Sequence, residues 1–206
     1  MEIIPAILEQ TWPEVEKKIK LVDGLTDWIQ IDVSDGVFTP NKTWNNPSDL
    51  LGLNLKSRLE VHLMVANPLK VLGGWFINPV GCIIIHTEPL NVKHRVSNIN
   101  KEIVLGFKIE TPWELYQDLI KQTGRVLFLS VEPGFQGQAL DEKVFDKIKT
   151  LKSALPSVKI AVDGGINLEN IESIKSAGAD AAIIGSGIFS TPDPRATLDK
   201  YRAIGV

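Results

Sequence analysis

Short apolar, β-branched runs alternate along the chain with segments whose apolar residues recur at helical spacing, the pattern of a parallel sheet covered by helices. About eight such runs are found: Glu2 to Ile7, Trp28 to Val33, Arg58 to Met64, Cys82 to His86, Ile103 to Ile109, Val126 to Val131, Val158 to Val162 and Ala181 to Ile184. Helices are predicted over Trp12 to Leu21, with Thr11 as N-cap and Pro13 in the first turn, and from Thr111-Pro112 through about Lys121. Two more are predicted over Asp141 to Ala154 and Leu168 to Ser176, the latter stopped by Gly178. Two further helical stretches are weakly patterned, one interrupted by Gly73-Gly74 and one, Asn91 to Asn100, short and polar. Eight strand-helix units in 206 residues leave about 26 residues each, which fits a strand, a helix and two short loops. The expected fold is therefore α/β, a single (β/α)₈ TIM barrel over residues 1–206, near the lower size limit for such barrels.

Composition narrows the partners. With 44% hydrophobic and 23% charged residues the chain can build a real core. It has no apolar run long enough to span a membrane, and its start lacks the order of a signal peptide, so a cytosolic (cytoplasmic) protein without membrane contact is expected. The lone Cys82 sits in an apolar strand and reads as a small buried hydrophobe. The net charge of -3 comes from scattered residues, which argues against nucleic-acid binding; an anion, if bound, is expected on backbone donors.

In a barrel of this kind the C-terminal ends of the strands converge on one mouth, so polar residues ending apolar strands belong to one group. The second strand supplies Gln30, Asp32 and then Asp35, the third His62, the fourth His86 and the seventh Asp163. Alternation puts Gln30 and Asp32 on one side of their strand. Buried carboxylates need a cation or a partner, so Asp32, His62 and Asp163 point to a metal or an acid-base pair; they also admit a plainer reading as loop caps and an internal hydrogen bond. Glycine-rich loops follow the last three strands: Gly134-Phe135-Gln136-Gly137, Gly164-Gly165 and Gly185-Ser186-Gly187. Three such loops at one end favour a phosphate site built from backbone N–H groups and a helix N-terminus, over simple tight turns. The longest irregular stretch, Ser34 to Asn46, carries Phe38 and Trp44, which either close over a ligand or pack the loop onto the rim.

The blocks Ile4-Pro5-Ala6-Ile7-Leu8, Ile31-Asp32-Val33-Ser34-Asp35-Gly36, Val61-His62-Leu63-Met64, His86-Thr87-Glu88, Val131-Glu132-Pro133-Gly134-Phe135, Val162-Asp163-Gly164-Gly165 and Gly185-Ser186-Gly187 occur in an order that resembles the ribulose-phosphate 3-epimerase family. The resemblance implies an isomerase of the pentose phosphate route, commonly oligomeric, that interconverts D-ribulose 5-phosphate and D-xylulose 5-phosphate. It also implies a divalent metal of the zinc, iron, manganese or cobalt class. Carried onto this chain, Asp32 and Asp163 become the acid-base pair and, with His62, metal ligands. Gly134, Phe135, Gln136, Gly137, Gly164, Gly165, Gly185 and Ser186 then surround the phosphate, and Ala6, Ser34, Met64, His86 and Leu129 wall the pocket.

The departures from the family pattern are specific. Gln30 stands where the family has a metal-binding histidine and offers a neutral, weaker oxygen ligand, so metal affinity is expected to fall. Ala6 replaces a substrate-contacting serine, Ser34 and Leu129 replace methionines, and Gln136 replaces a glycine of the phosphate loop. Besides the family reaction, these changes are compatible with an epimerase of another phosphorylated ketose, and with a phosphosugar-binding barrel of altered or lost metal-dependent catalysis.

Overall fold

The computed structural model describes residues 1–89, 102–135 and 137–205. The stretch expected as a helix at Asn91 to Asn100, and Gln136, lie outside them. Eight parallel strands follow one another around a closed barrel: β1 (Glu2–Ile7), β2 (Trp28–Ser34), β3 (Arg58–Met64), β4 (Val80–His86), β5 (Glu102–Lys108), β6 (Arg125–Leu129), β7 (Lys159–Asp163) and β8 (Ala181–Ile184). The barrel closes where β8 pairs with β1. The strand bounds differ from the sequence reading by at most two residues, because buried β-branched runs leave little choice of register.

Seven α-helices are described: α1 (Trp12–Val22), α2 (Pro68–Val71), α3 (Gln117–Thr123), α4 (Lys143–Ala154), α5 (Ile171–Ala177), α6 (Ser186–Phe189) and α7 (Pro194–Gly205). None is long and apolar enough to cross a membrane. Several starts lie later than predicted, for local reasons. The Asn167 side chain accepts the N–H groups of Glu169 and Asn170, and the Asp141 side chain that of Lys143, so each makes a turn before its helix begins. The stretch after Pro112 opens as a 3₁₀ turn, Trp113–Tyr116, ahead of α3. Thr11 precedes α1 as expected, but its hydroxyl bonds the Glu14 carboxylate and not a backbone N–H. The sequence reading omitted α7, which docks through Leu198, Tyr201 and Gly205.

Outward-facing strand residues pack against the helices in one core, while Ile4, Ala6, Trp28, Cys82, Ile84, Leu127 and their neighbours fill the barrel itself. Charge enters this second core near its lower end. Glu60 on β3 is fully buried, with Oε2 accepting a hydrogen bond from Arg125 Nη2 at 2.8 Å. Burial pushes the Glu60 carboxyl up to about 7, although Arg125 pulls the other way. The folded protein therefore keeps a proton that the unfolded chain releases near 4.5. The resulting stabilisation is complete below the unfolded value and lost as the pH rises through 7. Urea titrations should show a decline of about 3 kcal/mol from this group between acid and mildly alkaline pH. Glu60→Gln should flatten that part of the profile, and an unchanged slope in the variant would assign the decline elsewhere.

Candidate active site

Strand alternation carries Asp32, His62 and Asp163 to the C-terminal mouth of the barrel, where each offers one ligand atom within 4.8 Å of the others. Asp32 and His62 are adjacent through the β2–β3 register, and His62 Nδ1 lies 3.3 Å from a carboxylate oxygen of both Asp32 and Asp163. Between the carboxylates sits the Gln30 amide, whose Nε2 donates to Asp32 Oδ1 at 2.8 Å and to Asp163 Oδ2 at 2.9 Å. The same nitrogen is 3.5 Å from His62 Nδ1. Gln30 Oε1 is buried and has no hydrogen-bond partner among the described residues.

The other face of His62 is held by a polar chain. His62 Nε2 lies 2.8 Å from His86 Nε2, and His86 Nδ1 lies 2.9 Å from Glu88 Oε2. Glu88 in turn accepts hydrogen bonds from the Lys108 N–H and the Thr111 hydroxyl. Space for the His86 ring comes from Gly106 on the neighbouring strand, where a Cβ would lie 3.3 Å from the imidazole. Burial opposes a charge on His62, yet its bonds to Asp163 and Asp32 outweigh that and push it up to about 9. Burial, reinforced by the charge on His62, lowers His86 despite Glu88. Glu88 is held down to about 2 against its own burial by His86, Thr111 and the Lys108 N–H. Neutral His86 thus donates from Nδ1 to Glu88 and accepts at Nε2 from His62. Asp32 is raised, first by burial and then by the Asp163 carboxylate.

Beside the carboxylates opens a cavity of about 210 Å³. Asp32, Asp163, Ala6, Met64 and Leu129 line it, as do Gly134, Phe135, Gly137, Gly164, Gly165, Gly185 and Ser186. No lysine or arginine among the described residues does so, which leaves backbone N–H groups and neutral side-chain donors such as the Ser186 hydroxyl for an anion. The β7 turn needs its glycines: at Gly165, φ is +68° and a Cβ would lie 2.3 Å from Leu140 N. Ser130 ties this turn to β6, its hydroxyl donating to the carbonyls of Asp163 at 2.9 Å and Gly164 at 2.7 Å.

Two expected wall residues lie elsewhere. Ser34 and His86 are fully buried and do not line the cavity, because the long loop after β2 folds over that side of the mouth. Asp35 anchors that loop, accepting the N–H groups of Val37 and Phe38 on one oxygen and of Ala66 on the other. Phe38 packs on His86 with ring centroids 4.9 Å apart. Trp44 is buried against Trp12 and Trp75, so it packs the rim. The sequence reading gives no role to Gly106 or Ser130, whose roles appear only when neighbouring strands are placed side by side.

The three converging side chains fit a divalent cation. Two carboxylates and one imidazole are a donor set for zinc-like and harder ions, and a cation would give the orphaned Gln30 oxygen a partner.

Fold and site define a class: a (β/α)₈ barrel with two buried carboxylates and a histidine converging beside glycine-rich loops at its C-terminal mouth. The chain belongs to the ribulose-phosphate 3 epimerase family, whose model matches residues 2–189. A ribulose-phosphate 3-epimerase of Helicobacter pylori (strain J99 / ATCC 700824) is 33% identical, covering 99% of this chain and 98% of its own. One from Mycobacterium leprae (strain TN) is 30% identical over 97% and 93%. Among solved structures, 3-hexulose-6-phosphate synthase from Salmonella typhimurium aligns with a TM-score of 0.73 at 15% identity, covering 100% of this chain and 98% of that one. That likeness concerns the fold alone.

Proposed function

We propose that the protein interconverts D-ribulose 5-phosphate and D-xylulose 5-phosphate by two-base proton transfer at C3, with Asp32 and Asp163 as the acid-base pair. The observation that carries this reading is the pair of buried carboxylates, brought from β2 and β7 to the end of a cavity that three glycine loops also line. Inverting C3 of a 2-ketose requires removing a proton alpha to the carbonyl and returning one on the opposite face, so a base and an acid must stand on either side. One aspartate takes the C3 proton, giving a cis-enediolate, and the other, protonated, delivers a proton to the other face. The roles exchange in the reverse direction.

Burial that raises Asp32 suits it to hold a proton part of the time, as an acid-base group must. Asp32, His62, Asp163 and the Gln30 oxygen would hold a divalent cation of the zinc, iron, manganese or cobalt class. When bound, it would supply Lewis-acid stabilisation of the negative charge that develops on the substrate. Met64 and Leu129 exclude water from the reacting carbon, and the backbone of the glycine loops binds the phosphate.

A coupled assay on D-ribulose 5-phosphate tests the reaction; no turnover with any of the four metals would reject it. The same assay run on other phosphorylated ketoses separates the family substrate from a relative, since Ala6 and Leu129, both altered from the family pattern, line the cavity. Gly165→Ala should raise KM for the phosphosugar by about tenfold or more, through loss of one or two hydrogen bonds to a charged group. Wild-type KM in that variant would place the phosphate elsewhere.

A further inference from the structure

We infer that the Gln30 amide is a built-in stand-in for the cation: its NH₂ bridges the two carboxylates in the cation-free protein, and its oxygen turns onto a divalent cation when one binds. This deepens the proposed reading of the site and rests on it. Three observations carry it. The amide nitrogen lies between Asp32 Oδ1 and Asp163 Oδ2, at 2.8 and 2.9 Å, so both of its hydrogens are committed to them. The same nitrogen stands 3.5 Å from His62 Nδ1, in the midst of the three ligand atoms. The amide oxygen, on a side chain with no exposed surface, has no donor.

An NH₂ group cannot ligate a cation, so this arrangement and an occupied site exclude each other. A half-turn about the terminal torsion, which has a broad, roughly two-fold profile, exchanges the amide nitrogen and oxygen. Without a cation that half-turn is opposed, because it would set the amide oxygen against two carboxylates in place of two charge-assisted hydrogen bonds. With a cation it is favoured, because the orphaned oxygen gains a partner. Binding at this site is therefore an exchange of one bridge for another, accompanied by release to solvent of the proton on His62 Nδ1. It should be weaker than at a site whose fourth ligand has no such alternative, and the cation-free protein should keep an ordered active site.

The test follows the amide itself. In ¹⁵N-labelled, chelator-treated protein, the Gln30 side-chain NH₂ signals, assigned by their loss in Gln30→Met, should be shifted downfield by the two carboxylates. They should move upfield as zinc is titrated to saturation, with binding followed in parallel by calorimetry. Gln30→His should bind zinc about tenfold or more tightly than wild type. Chelator-treated Gln30→Met should melt about 5 °C or more below wild type, and zinc should raise its melting temperature by more than it raises that of wild type. Zinc binding to wild type with unmoved NH₂ signals would overturn this inference and leave the cation reading of the site standing. No zinc binding to wild type or to Gln30→His would overturn both. Equal melting of the chelator-treated proteins would show that the amide does not bridge the carboxylates.

Discussion

Asp32→Asn and Asp163→Asn are each expected to lower the rate of epimerisation by about 10³-fold, within the range by which positioned acid-base groups accelerate proton transfer. Asparagine keeps the shape and one acceptor oxygen, so Gln30 Nε2 retains a partner at either position and the fold should survive. What is lost is the ability to take or give a proton. Because each carboxylate is base in one direction and acid in the other, either substitution should block both directions of net turnover. Exchange with solvent distinguishes the two variants. In heavy water each retains one carboxylate, so each should still wash out the C3 proton of one epimer, and the two should differ in which epimer they label. A variant that epimerises at near-wild-type rate would show that the pair is wrongly assigned, and labelling of the same epimer by both would contradict their placement on opposite faces.

The second large effect lies at the far end of the barrel. Arg125→Met should cost about 2.5 kcal/mol at pH 8, because the fully buried Glu60, left without its cation, must take up a proton. At pH 5 Glu60, held up to about 7, is already mostly neutral in the folded protein, so the cost should shrink to about 1 kcal/mol, that of a hydrogen bond. Urea midpoints at the two pH values check this. Equal losses would mean that packing, not charge, sets the contribution of Arg125. Adding Glu60→Met to Arg125→Met should recover most of the loss at pH 8, since replacing a buried pair by apolar side chains is often neutral or stabilising.

The barrel was legible in the sequence because a strand buried on both faces must be apolar almost throughout, and such runs stand out. The residues proposed for acid-base chemistry and for phosphate were legible as candidates too, since Asp32, Asp163 and the glycines end those runs. The less legible features depend on what lies opposite. Nothing in the run around Gly106 shows that it makes room for His86, and nothing near Ser130 shows that it holds the β7 turn. Helix starts moved where Asn167 and Asp141 used their side chains on the following N–H groups. Gln30 is the sharpest case. The sequence marked it as a replaced ligand offering an oxygen, whereas the amide places its nitrogen toward the carboxylates, a choice set by the charge of its neighbours.

The bonds from Ser130 to the carbonyls of Asp163 and Gly164 fasten the residue proposed to move a proton and the turn proposed to bind phosphate into one stretch of backbone. With the phosphate seated on Gly164 and Gly165, as proposed, Asp163 would be a fixed number of bonds away and could not be adjusted independently. In that proposed reading the turn would be a ruler, setting the distance from phosphorus to the reacting carbon and so favouring a sugar by the length of its chain.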